Sequence, residues 1–154
     1  MIQSIFLDSG PLGLLTHPKS STEVVGITTW IKIAASSGIR VVVPAVVYYE
    51  LRRELLRANK IIGIQRLDAF VNAGSGQYLP LKDPALRLAA ELWAQSRREG
   101  RPTAPPTSLD IDVILAAQAL TCGLPTSEIV IATSNRRHLS QFVDARPWTD
   151  IHPY

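Results

Sequence analysis

A chain of 154 residues, 46% hydrophobic and 19% charged, has the size and balance of one globular domain, and residues 1–154 are read as a single unit. Its one cysteine, Cys122, excludes an intrachain disulfide framework. The N-terminal MIQSIFLDSG carries neither a basic leader nor a long apolar stretch, so a soluble cytoplasmic protein without a membrane partner is expected. The formal charge is only +3, but the cations cluster at Arg52-Arg53, Arg57 and Lys60, at Arg97-Arg98 and Arg101, and at Arg136-Arg137. Such clusters suit a polyanionic partner, although one Arg pair alone is as readily a solvated helix face.

Ile2 to Leu7 is a short apolar run that predicts a buried strand, and Asp8-Ser9-Gly10-Pro11 predicts a turn after it. Ser20 precedes Glu23 by a capping-box spacing and opens a helix to about Ser36, closed by Gly38. Ile39 to Val43, β-branched almost throughout, predicts a second strand. Pro44 reads as an early helical residue, and Ala45 to Lys60 as a helix that becomes basic toward its end. Ile64 to Val71 predicts a short helix, weakened at its start by Gly63, before the flexible stretch Ala73-Gly74-Ser75-Gly76.

Gln77 to Leu81 predicts a third strand. Asp83-Pro84 reads as an N-cap followed by proline at the first helical position of a helix to about Glu99. Arg101 to Ser108, with three prolines, reads as a loop. Leu109 to Cys122 is apolar almost all round and predicts a deeply buried helix. Glu128 to Ala132 predicts a strand, Asn135 to Phe142 a short helix, and Pro147 to Ile151 a closing edge strand. This alternation implies a layered α/β sandwich with a mostly parallel central sheet, in which ligands gather at the carboxyl ends of the strands.

The acids fall at that edge. Asp8 ends the first strand, Glu50 lies nearly two turns into the helix after the second, Asp112 sits in the first turns of the buried helix, and Asn135 follows the strand ending at Ala132 and Thr133. Converging carboxylates repel one another, and the natural compensation is a hard divalent ion such as Mg²⁺. Each residue also has an ordinary explanation. Asp8 could begin an Asx turn, Glu50 could pair with Arg53 on a helix surface, and Asn135 could be a helix N-cap. Asp110, three residues after Thr107, fits a capping box better than a catalytic role. Asp112 resists such a reading, because an unpaired carboxylate on a helix with almost no polar side is costly. Asp110 and Asp112 point to nearly opposite helix faces, so only Asp112 is expected to face the cleft directly.

The segments FLDSG, YYELRREL, DVILAAQAL and IATSNRRHL occur in the order of the PIN domain family, and the chain resembles that family over nearly its whole length. It is most similar to the VapC-type toxins of bacterial toxin–antitoxin pairs. The resemblance implies a PIN-like three-layer α/β/α sandwich and a Mg²⁺- or Mn²⁺-dependent endoribonuclease. In it Asp8, Glu50 and Asp112 would ligate metal, with Asn135 in a fourth position that is Asp in many relatives. It further implies a homodimer, an RNA substrate and an antitoxin partner that blocks the site, with Ser9 and Thr133 supporting the site through their hydroxyls. Asp110, beside Asp112 in sequence, is a further candidate for support. Arg52, Arg53, Lys60, Arg136 and Arg137 flank these acids in sequence and are proposed phosphate contacts. Trp30 and Trp93 read as core or interface residues, and His17, His138 and His152 show no metal-binding spacing.

Other readings fit less well. A haloacid-dehalogenase-type phosphatase would need an Asp where Gly10 stands, Gly10 and Gly13 alone do not make a dinucleotide-binding turn, and a receiver domain would want paired acids near its first strand. A PIN-like module that binds RNA or protein without cutting is the competing expectation, with the uncharged Asn135 as the feature in its favour.

Overall fold

In the computed structural model, described here for residues 1–74, 77–100 and 106–154 and without the side chains of 106–108, five strands form one sheet. They are β1 (Ser4–Leu7), β2 (Arg40–Pro44), β3 (Gln77–Leu79), β4 (Ile129–Ala132) and β5 (Ala145–Arg146), in the spatial order β3-β2-β1-β4-β5. All four pairings are parallel, with Ile5 opposite both Val41 and Val130. β1 and β4 are buried along their whole length, as expected of strands covered by helices on both faces. The chain steps outward from β1 to β3, then returns to lay β4 on the other side of β1. This reversal of strand order between β1 and β4 leaves a crevice at their carboxyl ends.

The helices are α1 (Ser9–Leu15), α2 (Thr22–Ser36), α3 (Ala45–Arg57), α4 (Ile61–Asn72), α5 (Asp83–Arg98), α6 (Pro106–Leu120) and the single-turn α7 (Arg136–Leu139). Several boundaries differ from expectation, each for a local reason. The residues expected to form a turn after β1 instead form α1, with Asp8 as its N-cap and Pro11 inside its first turn, where no backbone donor is needed. Ser21, not Ser20, caps α2 by accepting from the Val24 amide. Gly38, at φ 80°, closes α2 as expected.

Pro44 ends β2 and stands just before α3 rather than within it. That helix stops at Arg57, short of the expected Lys60. Asn59 adopts a left-handed φ of 54°, and the Lys60 and Asn59 amides return to the Leu55 and Leu56 carbonyls. Gly63 lies within α4, not before it. A Cβ there would stand 3.1 Å from Leu55 Cδ2, so glycine permits α3 and α4 to approach closely.

Lys82, not Asp83, occupies the cap position of α5, and α6 begins at Pro106, three residues before the expected start. Ser75, Gly76, residues 101–105 and the Thr107 side chain lie outside the described residues, and with them half of the expected flexible stretch, most of the expected loop and the Thr107 capping box. The edge strand is Ala145–Arg146, while Trp148–Asp150 forms a 3-10 turn instead of a strand. That turn packs Trp148 on the buried Trp30, whose Nε1 donates to the Ile151 carbonyl at 2.8 Å. Among the described residues no helix is long and apolar enough to cross a membrane.

Candidate active site

The crevice beside β1 and β4 holds a cleft of about 350 Å³ lined by Asp8, Ser9, Glu50, Arg53, Ile111, Asp112, Ser134 and Asn135. Four residues far apart in sequence thus meet because each follows a strand or starts a helix at one edge of the sheet. Gly10 lets α1 approach the opposite wall, since a Cβ at that position would fall 2.7 Å from the Ser134 hydroxyl oxygen.

Asp8 is buried and held on both sides. Its Oδ1 accepts from the Ser9 amide at 2.8 Å and its Oδ2 accepts from the Thr133 hydroxyl at 2.7 Å. Burial raises its pKa above the usual carboxylate value, against these two bonds. The Thr133 oxygen also accepts from the Asn135 amide at 2.9 Å, so one hydroxyl ties the end of β1 to the start of α7. Ser9 contributes to this arrangement through its backbone N–H.

Asp112 is equally buried but has no such support: its Oδ2 finds no hydrogen-bond partner among the described residues. Burial, then the charges of Asp8 and Glu50, push its pKa up to about 7. Among the described residues the fold therefore encloses a carboxylate oxygen without the hydrogen-bond donor that buried carboxylates normally have. Asp110, on the opposite side of the α6 turn, is exposed and outside the cleft.

His138 is the residue that sequence spacing did not single out. Its Nδ1 stands 2.9 Å from the Asn135 side-chain nitrogen and 3.6 Å from Asp112 Oδ2. The available signal was its place three residues after Asn135, one helical turn along the same face. Asn135 occupies the N-cap position of α7, yet its side chain makes no capping bond there and turns to His138 instead.

Of the five cations expected to meet phosphate, Arg53 alone lines this cleft, with its guanidinium 5.1 Å from the centre of the exposed Tyr49 ring. Arg52 instead binds Asp68, which also accepts from the Tyr48 hydroxyl, and so joins α3 to α4. Lys60 borders a separate apolar groove with Leu51, Leu55, Ile61 and Ile62. Arg136 lines a polar groove beside β5 with Ser140 and Arg146, and Arg137 is exposed. A buried residue not anticipated from sequence is Gln118. Its side chain accepts from the Val46 amide and donates to the Leu79 and Pro80 carbonyls, fastening α6 to the start of α3 and the end of β3.

Among the described residues, no three His, Cys, Asp or Glu side chains are drawn together closely enough to enclose an ion by themselves. The chemistry of the donors fits a hard divalent ion nonetheless: carboxylates on three sides, an amide oxygen available from Asn135, and an orphaned Asp112 oxygen. Mg²⁺ retains several waters, so spread carboxylates can hold it partly through them.

A family model for the PIN domain matches residues 21–143, a span that contains Glu50, Asp112 and Asn135 and begins after Asp8. The fold is similar to that of VapBC2 from Rickettsia felis bound to a DNA fragment from its promoter, with a TM-score of 0.67, 12% identity, and coverage of 94% of this chain and 98% of the other. FitAcB from Neisseria gonorrhoeae gives 0.66 at 16% identity, covering 96% and 99%. DNA-bound VapBC from Salmonella typhimurium gives 0.65 at 19%, with the same coverage. At these identities the likeness is one of fold. No curated protein matches the sequence significantly.

Proposed function

This chain belongs to the PIN domain family, and from that premise we propose that it is a divalent-metal-dependent endoribonuclease, the toxin of a VapBC-type toxin–antitoxin pair, acting in the cytoplasm as a homodimer. The observation that carries the reading is Asp112: a buried carboxylate whose Oδ2 has no hydrogen-bond partner among the described residues, pushed to about 7 by burial and by Asp8 and Glu50. A fold that served only to bind would gain stability by replacing it.

Asp8, Glu50 and Asp112 would hold Mg²⁺ or Mn²⁺, with the Asn135 oxygen in a fourth position. When bound, the metal would lower the pKa of a water for in-line attack on phosphorus and offset charge on the leaving oxygen. The protein's own part is to position. Thr133 and the Ser9 amide fix the Asp8 carboxylate in one orientation, so its oxygens are presented without reorganisation. Asp112 must lose its proton to serve as an anion, which occurs near neutral pH. Arg53, on the rim beside Glu50, is placed to meet a phosphate oxygen and align the RNA strand. Hydrolysis then adds water across one P–O bond.

The antitoxin partner is proposed from the likeness in fold to the VapBC and FitAcB structures together with the family resemblance of the sequence. The competing reading, an RNA- or protein-binding PIN module that does not cut, draws on the uncharged Asn135. Purified protein incubated with a panel of structured RNAs in Mg²⁺, Mn²⁺ or EDTA, beside an Asp112→Asn variant, separates the two. Cleavage that requires metal and disappears in the variant is expected; retained RNA binding with no cleavage under any metal would favour the binding module.

A further inference from the structure

Beyond the three carboxylates, the cleft has a nitrogen at its edge. The His138 ring is largely buried, and its Nδ1 faces two groups: the Asn135 side-chain nitrogen at 2.9 Å and the partnerless Asp112 Oδ2 at 3.6 Å. An amide nitrogen can only donate, so with Asn135 in this orientation Nδ1 is the unprotonated nitrogen of the ring and carries a lone pair. The 3.6 Å spacing is too long for a hydrogen bond to Asp112. Neighbouring ligand atoms on one octahedral divalent ion stand roughly 3 Å apart, so a shift of about half an ångström brings the pair to ligand spacing.

The other two histidines offer nothing comparable. His17 bonds locally to the Lys19 backbone, and His152 packs on Tyr154. Carboxylate and water ligands suit Mg²⁺, whereas an imidazole nitrogen favours first-row transition ions over it.

We propose that His138 is a direct nitrogen ligand of the cleft metal, adjacent to Asp112, and that it makes the resident ion a first-row transition divalent such as Mn²⁺ in preference to Mg²⁺. The inference rests on the metal-dependent reading above and specifies its ion. In accepting the metal, His138 exchanges the Asn135 amide for it. The released amide can then turn its oxygen to the cleft, which reconciles a neutral residue in the fourth position with a role in binding. Asn135 and His138 thus act together where one carboxylate would otherwise serve.

The test is Mn²⁺ binding to the full chain followed by electron paramagnetic resonance, with Mg²⁺ as competitor and pulsed detection of nitrogen coupled to the bound ion. Wild type should bind Mn²⁺ with a directly coordinated histidine nitrogen and hold it roughly 10–100-fold tighter than Mg²⁺. His138→Ala should lose the nitrogen coupling and most of that preference while still melting cooperatively. His138→Asp should restore ion binding through oxygen, with the preference moved toward Mg²⁺. Bound Mn²⁺ without nitrogen coupling in wild type, or coupling that survives in His138→Ala, would overturn the ligand assignment and leave the carboxylate site standing. Wild type that binds neither ion would overturn the metal-dependent reading and this inference together.

Discussion

Asp68 and Asp112 are both helical aspartates set against neighbouring helices, but the fold treats them in opposite ways. At the α3–α4 contact, Asp68 is partly buried, which alone would raise its pKa, yet hydrogen bonds from the Tyr48 hydroxyl and the Arg52 guanidinium outweigh burial and hold it below the usual value. In the cleft, Asp112 is buried beside Asp8 and Glu50, has no hydrogen-bond donor on Oδ2 among the described residues, and is pushed to about 7. One charge is compensated from within the chain, the other awaits compensation from outside. An imbalance of this kind marks a site more securely than the presence of acids in a pattern.

The largest difference between the two should be in activity. Asp112→Asn is expected to lower metal-dependent RNA cleavage roughly a thousandfold, the loss of several kcal/mol of charge stabilisation, whereas Asp68→Asn should leave the rate within about threefold. Equal losses in single-turnover assays of the two variants would erase the comparison.

Stability without metal should run the other way. Because the folded-state pKa of Asp112, about 7, lies above the ordinary carboxylate value of the unfolded chain, the native state holds a proton that the unfolded chain releases between the two. Its contribution to stability is therefore complete below the unfolded pKa and is lost as pH rises through about 7. Thermal melts in EDTA should show Asp112→Asn several degrees more stable than wild type above pH 7, with the advantage vanishing near pH 4. Asp68 has the opposite sign, since its lowered pKa gives a contribution present above the unfolded value and lost as pH falls through the folded one. The pair is about a third exposed, so Asp68→Asn should cost no more than about 1 kcal/mol at neutral pH.

Metal should narrow the gap in wild type alone. At a hundredfold excess over its dissociation constant, Mn²⁺ should stabilise wild type by about 2.7 kcal/mol and Asp112→Asn by much less. Calorimetric melts with and without the ion would show this, and equal shifts in both proteins would place the ion elsewhere.

A smaller effect is expected at Thr133. Replacement by valine removes the donor to Asp8 Oδ2, leaves a buried carboxylate less supported, and should move the acidic limb of the pH–rate profile upward with a several-fold loss of rate. The smallest contrast is between the adjacent arginines. Arg53→Ala should weaken RNA binding and lower its salt dependence by about one counterion, while Arg52→Ala should alter stability by about 1 kcal/mol or less and leave the salt slope unchanged. Titrations at several salt concentrations would distinguish them.

Much of this molecule is legible in its sequence. The β-branched run at Ile39 to Val43, the apolar helix around Asp112 and the strand before Thr133 determine the order of strands and helices, because hydrophobic periodicity is written locally. The placement of Asp8, Glu50, Asp112 and Asn135 at strand ends and helix starts made their convergence on one edge an inference from topology. What sequence left open is what depends on groups distant in the chain. The residues after Asp8 looked like a turn because Gly10 and Pro11 are turn formers, and became helix once packed against α2 and α3. Arg52 and Arg53 are indistinguishable as letters, and Asp68, across the α3–α4 contact, decides which of them remains at the cleft. Gln118 could have been a surface residue, but it joins three elements. By itself the sequence determined the α/β order and the acids, since periodicity and local turns need only near neighbours. Tertiary structure alone decided that Asp112 Oδ2 has no hydrogen-bond donor among the described residues and that His138 stands beside it, because burial and hydrogen-bond supply are properties of what the rest of the chain brings there.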